Sequence, residues 1–352
     1  MRPFGKHLNP TSPLRGAHAN PVITQFIKLP SLTRKSGMLI RLGITRLSMI
    51  PLEIARECFL SPLRSEIAAA LRRKGWSQGE IAKVLGVTQV AVSKLLREAR
   101  KGRLREVGID DLEAELLVAA AVDLTEKGEL ELASALLHRY WLLVSASGGA
   151  CDAHRRMGWA LLECAACARA LHPKLAPARA VALADLERAV LLAELSPNLA
   201  ALAPEVLVNV ARAAPGAVSL RDVAAVPGRL ARVGGRLVAR RRPRFGASRH
   251  LAEVLLASGY AACINVKYNK DVERALEELG FEKFAFSSER YRGPNPAAAA
   301  VREARERGEL PRVAVDLGGR GVEPVTYIFG GSAVGVVLAA ERVARLVRSW
   351  GG

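Results

Sequence analysis

Apolar residues recur at spacings of three and four across residues 51–60 and 63–74, and the same period continues through residues 77–100. That spacing matches the helical repeat, so this portion predicts helices that each bury one face. Residues 110–145 predict two further helices broken near Gly128. From about residue 180 the texture changes. Gly, Pro and Val rise, and short apolar runs alternate with helical windows, as in a chain that interleaves strands with helices. The runs 235–239, 261–268, 312–316 and 324–329 predict strands, and residues 249–258, 271–279, 295–307 and 332–348 predict helices. No internal repeat is visible. The expected fold class is α+β multidomain. An all-α domain is expected over 49–104, a helical linker or dimerisation segment over 105–182, and an α/β sandwich over 183–352.

Residues 77–100 carry the sharpest local signal. Ser77 is a good N-cap and Glu80 completes a capping box. Ile81, Ala82 and Leu85 form one apolar face, and the small Ala82 lets a second helix cross closely. Gly86 sits where a turn needs positive φ. Thr88 can cap a second helix whose inner face is Val92 and Leu95. That pattern is a helix-turn-helix and resembles the Cro/C1-type family. On this reading Ser77, Gln78, Thr88, Gln89, Val90, Ser93, Lys94 and Arg97 form the DNA-facing set. A glutamine at the start of a reading helix can pair bidentately with adenine, while Ser, Lys and Arg serve bases or phosphates. The competing reading is a helical hairpin used for protein contacts. Such DNA readers usually act as dimers on half-sites about one helical turn apart, and the helices over 110–145 are natural dimerisation material.

Charge strengthens the nucleic-acid reading. The 352 residues carry a formal net charge of +18, which suits a polyanionic partner, with nucleic acid ahead of an acidic membrane surface. The first acidic residue is Glu53. Before it lie Arg2, Lys6, Arg15, Lys28, Arg34, Lys35, Arg41 and Arg46. Residues 1–48 thus read as a basic arm adding phosphate contacts, or as a disordered extension translated from a misplaced start, with Met38 and Met49 as alternative starts. The apolar stretch 331–340 is too short for a membrane span and stops at Glu341. With no signal-peptide pattern at the N-terminus, a cytoplasmic location is expected.

Five cysteines argue against a disulfide scaffold. Four positions nevertheless form a pattern. Cys151-x2-His154 and Cys164-x2-Cys167 have the spacing of two knuckles that can converge on one tetrahedral, structural Zn²⁺. Residues 157–170 are also rich in Ala and Leu, so Cys164 and Cys167 can equally be small hydrophobes in a helical core.

Three polar clusters mark the C-terminal part. In residues 242–256, Gly246 ends an extended run, Ser248 can cap the next helix, and the helix start with Arg249 and His250 can hold a phosphate. In 261–268, alternation puts Asn265 and Lys267 on one strand face. In 316–324, glycines permit tight turns between Asp316 and Glu323. Together they suit a ligand with both phosphate and positive charge. Turn-forming glycines and solvated charges are the plainer alternative.

The segments PEVLVN (204–209), DVAAVPGR (222–229), FGASRH (245–250), INVKY (264–268) and the D-x-G-x-x-G-x-E-P pattern at 316–324 resemble the archaeal ThiN, or thiamine-phosphate synthase, domain. The resemblance covers most of the chain from about 190 onward and adds Asn209 and Arg229 to the candidate ligand residues. It implies an α/β sandwich of ThiN type and a phosphate-bearing ligand. Catalytic members join a pyrimidine pyrophosphate to a thiazole phosphate. A helix-turn-helix fused to such a domain resembles the archaeal thiamine regulators, which implies thiamine phosphate or a precursor as effector. Two departures stand out. Family members usually carry Arg at Lys267 and Gly-Ser at Leu207 and Val208. Lys supplies a point charge in place of a bidentate fork. Three functions follow: a ligand-responsive transcriptional regulator; a thiamine-phosphate synthase using Arg249, His250 and Lys267 as cations; or an architectural DNA-binding protein.

Overall fold

The computed structural model describes residues 52–158 and 164–351. The basic segment 1–48 and both alternative starts lie outside the described residues.

A short turn, Leu52–Ile54, and a π-helical stretch, Ala55–Leu60, run directly into helix α1, Ser61–Arg73. Pro62, which has no N–H to give to the preceding turn, falls in the first turn of α1, just after the π-helical stretch. Helices α2 (Gln78–Leu85) and α3 (Gln89–Glu98) follow. A 3-10 turn, Arg103–Val107, leads to α4 (Asp111–Glu126), which ends before Gly128 at φ +76°, and then to α5 (Leu130–Ala146). Two short helices, α6 (Cys151–Arg156) and α7 (Ala166–Leu171), precede the long α8 (Pro177–Leu195).

Helix α8 is absent from the sequence expectations for a physical reason. Ala180, Leu183, Leu186, Arg188, Leu191 and Leu192 are all buried, so it is enclosed on nearly every side. A helix buried all round has no polar face to reveal its period.

The C-terminal part is a mixed sheet. Its strands are β1 (Asn209–Ala213), β2 (Val223–Ala225), β5 (Arg244–Phe245), β6 (Ala262–Lys267), β7 (Lys283–Phe286), β8 (Val313–Asp316) and β9 (Val325–Gly330). Their order is β5-β2-β1-β6-β9-β8-β7. Only β7 and β8 run parallel; every other pair in this sheet is antiparallel. The remaining strands β3 (Leu230–Val233) and β4 (Arg236–Ala239) form a separate hairpin. Four helices complete the fold: α9 (Arg249–Ser258), α10 (Lys270–Glu278), α11 (Pro296–Glu306) and α12 (Ala333–Trp350). The four expected strands and four expected helices are present. The sequence reading missed β1, β2, β3, β5 and β7, which are short or built largely of alanine, arginine and lysine.

Period-two alternation sends each strand's side chains to two helical layers. Val210, Ile264 and Ile328 join the core beneath α8 and α12, whereas Ala211, Cys263 and Phe329 join the core beneath α9 and α11. The first core does not stop at the sheet. It continues through Leu186 and Tyr140 to Leu117, Leu63, Phe59, Ile81 and Val92. The helical region and one face of the sheet are therefore packed around one contiguous apolar cluster.

A buried ion pair crosses that cluster. Arg188 on α8 donates from Nε to Glu113 of α4 at 2.6 Å and from Nη2 to the Gly108 carbonyl at 2.7 Å. The Tyr140 hydroxyl on α5 donates to the same carboxylate. Glu113, Tyr140 and Arg188 are all at least nine-tenths buried. Burial raises the Glu113 carboxyl above the usual carboxylate range, and the facing guanidinium opposes that rise. Glu113→Ala would strand a buried guanidinium and is expected to cost about 3–5 kcal/mol by urea denaturation. Glu113→Leu combined with Arg188→Met is expected to recover at least half of that loss. A single-variant cost below about 1 kcal/mol would contradict the assignment.

Candidate functional site

The ends of β1, β6 and β8, the start of α9 and the loop before β9 assemble most of the residues singled out in the C-terminal part. Asn209 opens β1 opposite Asn265 on β6. The Asn265 Oδ1 accepts from the Asn209 backbone N–H at 2.8 Å, and Asn265 Nδ2 donates to the Leu207 carbonyl at 3.0 Å. The Asn209 amide reaches the other way. Its Nδ2 donates to the Val226 carbonyl, and its Oδ1 accepts from the Val210 and Val226 N–H groups. Both side chains thus fix the loops at 204–207 and 226–229. Glu323 does comparable work, its two oxygens accepting from the N–H groups of Glu205 at 2.9 Å and Val206 at 2.6 Å.

Those loops carry the two non-glycine residues with positive φ among the described residues, Leu207 at +64° and Arg229 at +65°. A bulky L-residue pays a steric cost there, and glycine does not. Leu207 is one of the residues at which the sequence departs from the resemblance described above. The Arg229 guanidinium is exposed and donates to the Val206 carbonyl, tying the two loops together.

His250 lies in the first turn of α9. Ser248 caps this helix, accepting from the Leu251 N–H, after Gly246 turns the chain at φ +69°. The His250 Nε2 is 3.0 Å from the Tyr327 hydroxyl of β9. His250 is exposed overall, and its contact with Tyr327 is partly buried. Desolvation first, and the Arg229 charge second, hold its pKa below the ordinary imidazole value. Burial, and then the Asp316 charge, push the Tyr327 phenol well above its usual range. Asp316 is itself buried at the end of β8. Its Oδ1 accepts from the N–H groups of Ser288 at 3.1 Å and Gly318 at 2.9 Å, and its Oδ2 meets the Ser288 hydroxyl.

The cluster therefore contains a guanidinium, a neutral imidazole, a protonated phenol and a helix N-terminus, a set that can bind and orient an oxyanion. Lys267 ends β6, half-buried, on the same strand face as Asn265. Arg249 points elsewhere, exposed and paired with Glu253 at 2.9 Å. Sequence reasoning missed Tyr327 and Ser288. Tyr327 stands directly opposite Asn265 across β6 and β9, so only the strand register brings it to His250.

In the helical region, the Ser77 hydroxyl accepts from the Glu80 N–H at 3.2 Å, and the Glu80 carboxylate accepts from the Ser77 N–H at 2.7 Å. Gly86 takes the left-handed conformation at φ +63°, and Thr88 caps α3 by accepting from the Ala91 N–H. Ile81 and Val92 are fully buried. Gln89, Val90, Lys94 and Arg97 face solvent, with Val90 at 80 % exposure, while Gln78 and Ser93 are half-buried. Ser77 and Thr88 act as helix caps.

Cys151, His154, Cys164 and Cys167 line one cavity of about 230 Å³. Burial, followed by the neighbouring cysteines, pushes the Cys167 thiol up to about 11. Among the described residues, however, no group of three or more His, Cys, Asp or Glu side chains is placed to hold a metal ion. The four residues share a cavity without forming a coordination sphere. Nor is any described helix long and apolar enough to cross a membrane.

Fold and site define an α+β protein: a helical region joined to a mixed-sheet domain whose strand ends form a polar, oxyanion-compatible cluster. The sheet domain can be placed more closely. Residues 185–342 match the family described as thiamine-phosphate synthase ThiN, and the C-terminal region is a ThiN domain. Over 182 residues the chain is 29 % identical to the thiamine-phosphate synthase ThiN of Methanothermobacter thermautotrophicus, covering 48 % of this chain and 95 % of that protein. It is 32 % identical over 157 residues to the bifunctional thiamine biosynthesis protein ThiDN of Methanocaldococcus jannaschii, covering 41 % of this chain and 36 % of that protein. A crystal structure of the C-terminal domain of phosphomethylpyrimidine kinase aligns at 27 % identity and TM-score 0.42, covering 47 % of this chain and 97 % of that one.

Because the folded protein holds His250 neutral more strongly than the unfolded chain does, its contribution to stability is lost as pH falls below the ordinary 6.5. An NMR titration of the His250 ring is expected to show a midpoint below that value. Arg229→Ala is expected to move the midpoint upward. A wild-type midpoint at or above 6.5 would contradict the environment described.

Proposed function

We propose that this chain is a DNA-binding transcriptional regulator of thiamine biosynthesis or transport genes. Its ThiN domain senses thiamine phosphate or a related phosphorylated precursor. The supporting observation is the division of α3 into two faces. Val92 on the inner face belongs to the apolar cluster that continues to the sheet, while Gln89, Val90, Lys94 and Arg97 face outward. With its caps and left-handed Gly86, the α2–α3 pair has the form of a helix-turn-helix, and α3 is its reading helix. Lys83, Arg100, Lys101 and Arg103 lie close by in sequence and add positive charge for phosphates. The protein acts as a homodimer on paired half-sites, in the cytoplasm where chromosomal DNA is accessible.

The ligand half of the proposal rests on the ThiN domain and on the cluster around Arg229, His250, Tyr327 and Lys267. The phosphate of the effector meets Arg229, the α9 N-terminus and Lys267. Ligand binding shifts DNA affinity only if the two DNA-binding states differ in affinity for the ligand. The packing of α12 against α8, of α8 against α4, and of α4 against α1 supplies a path for that difference. Arg345 on α12 is paired with Glu115 of α4 at 2.9 Å, and Lys101, just beyond α3, reaches the same Glu115 at 3.1 Å.

A second reading has its own support: the thiamine-phosphate synthase from M. thermautotrophicus is matched over nearly its whole length. In that case the chain joins hydroxymethylpyrimidine pyrophosphate to thiazole phosphate, with the cationic cluster stabilising the departing pyrophosphate. A synthesis assay on the purified chain separates the two, since a regulator without turnover shows no product.

Fluorescence anisotropy with DNA from upstream of thiamine genes tests the main proposal at fixed salt. Gln89→Ala is expected to weaken specific binding roughly ten- to a hundredfold and relax the preference at one base pair. Lys94→Ala is expected to weaken all sequences alike and reduce the salt dependence by about one counterion. Binding that is indifferent to sequence in the wild type would overturn the regulator.

A further inference from the structure

We propose that the cleft bounded by α1, α2, α4, α5 and α7 is a second ligand site, taking an amphipathic small molecule with an apolar body and one anionic group. It shares no residue with the cluster at the strand ends and does not depend on the ThiN ligand being correctly identified.

The cleft encloses about 810 Å³, within the range of sites for small organic molecules. Phe59, Leu63, Leu137 and Trp141 are among its walls, and the Phe59 and Trp141 rings pack with centroids 5.1 Å apart. Charge narrows the class of ligand. Among the described residues no Asp or Glu lines the cleft, whereas Arg64 and His138 do, both exposed. An apolar wall beside an exposed guanidinium complements a carboxylate or sulfonate on a hydrophobic body, and it disfavours a cationic amphiphile.

A second observation points to the same place. Ser145 is only 6 % exposed, and its buried hydroxyl has no hydrogen-bond partner. A serine within a helix ordinarily returns its hydroxyl to a carbonyl of the preceding turn or to solvent. Buried polar groups without a partner are few in native proteins and call for an explanation. Ser145 stands on the wall common to this cleft and the smaller cysteine-lined cavity. A polar atom of a bound ligand would satisfy it.

The position bears on regulation. Val84 and Leu85, the last two residues of α2 before the Gly86 turn, are part of the lining. A molecule in the cleft would touch the α2–α3 pair on one side and α4 and α5 on the other.

Calorimetric titration of the full chain with dodecanoate, dodecanol and dodecylamine tests the inference. Saturable one-to-one binding of dodecanoate is expected, with dodecylamine at least tenfold weaker. Arg64→Gln, a surface change, is expected to weaken dodecanoate five- to tenfold while leaving dodecanol within twofold. Ala133→Phe, which fills the cleft, is expected to abolish binding of both while circular dichroism stays unchanged. Two results would overturn the proposal. One is no saturable binding of dodecanoate. The other is a self-association that closes the cleft: Leu142→Glu converting a dimer to a monomer, with dodecanoate binding absent before the substitution and appearing only after it.

Discussion

The buried contact among Glu113, Arg188 and Tyr140 holds the helical region to the sheet domain. Three helices from different parts of the chain meet at one carboxylate. Each member alone would be costly to bury, since an unpaired charge in an apolar interior loses its hydration. Together they leave one arrangement in which α4, α5 and α8 can pack. Because Arg188 also reaches the Gly108 carbonyl, the contact fixes the connection leading into α4 as well. The apolar cluster that runs from Ile81 and Val92 to Ile264 and Ile328 passes directly around it.

At the strand ends, organisation takes precedence over display. Asn209, Asn265, Glu323 and Asp316 look like ligand-binding side chains in the sequence. In the fold their polar atoms hold backbone N–H and C=O groups of four neighbouring loops. They thereby hold the loop that carries Arg229. Leu207 and Arg229 hold left-handed backbone conformations beside the same network, and that strain persists because the asparagine amides over-determine the loops.

The α2–α3 pair was legible because its determinants are local. Ser77 with Glu80, Gly86, and Thr88 with Ala91 act within four residues of one another, so spacing alone reveals them. Strands β6, β8 and β9 were legible for a similar reason, as compact runs of β-branched and aromatic residues. Helix α8 was not, because its surroundings are apolar on nearly every side. Strands β1 and β2 were not, because alanine carries no strand signal and burial by neighbours decides their state. The His250–Tyr327 contact spans 77 positions and depends on the register of β6 against β9, which no window of sequence contains. The cysteine pattern was legible in its spacing but not in its geometry. Its spacing was clear, yet placing Cys151 and His154 on α6 and the other two around α7 brings them to one cavity without forming a coordination sphere.

The regulator proposed above requires energetic coupling between the ThiN domain and helices α2 and α3, and such coupling must be reciprocal. Isothermal titration of thiamine phosphate into the free chain, and into the chain saturated with its operator, measures it from the ligand side. The two affinities are expected to differ by about five- to 150-fold, and by the same factor by which thiamine phosphate changes DNA affinity. Equal affinities in the presence and absence of DNA would contradict the coupling.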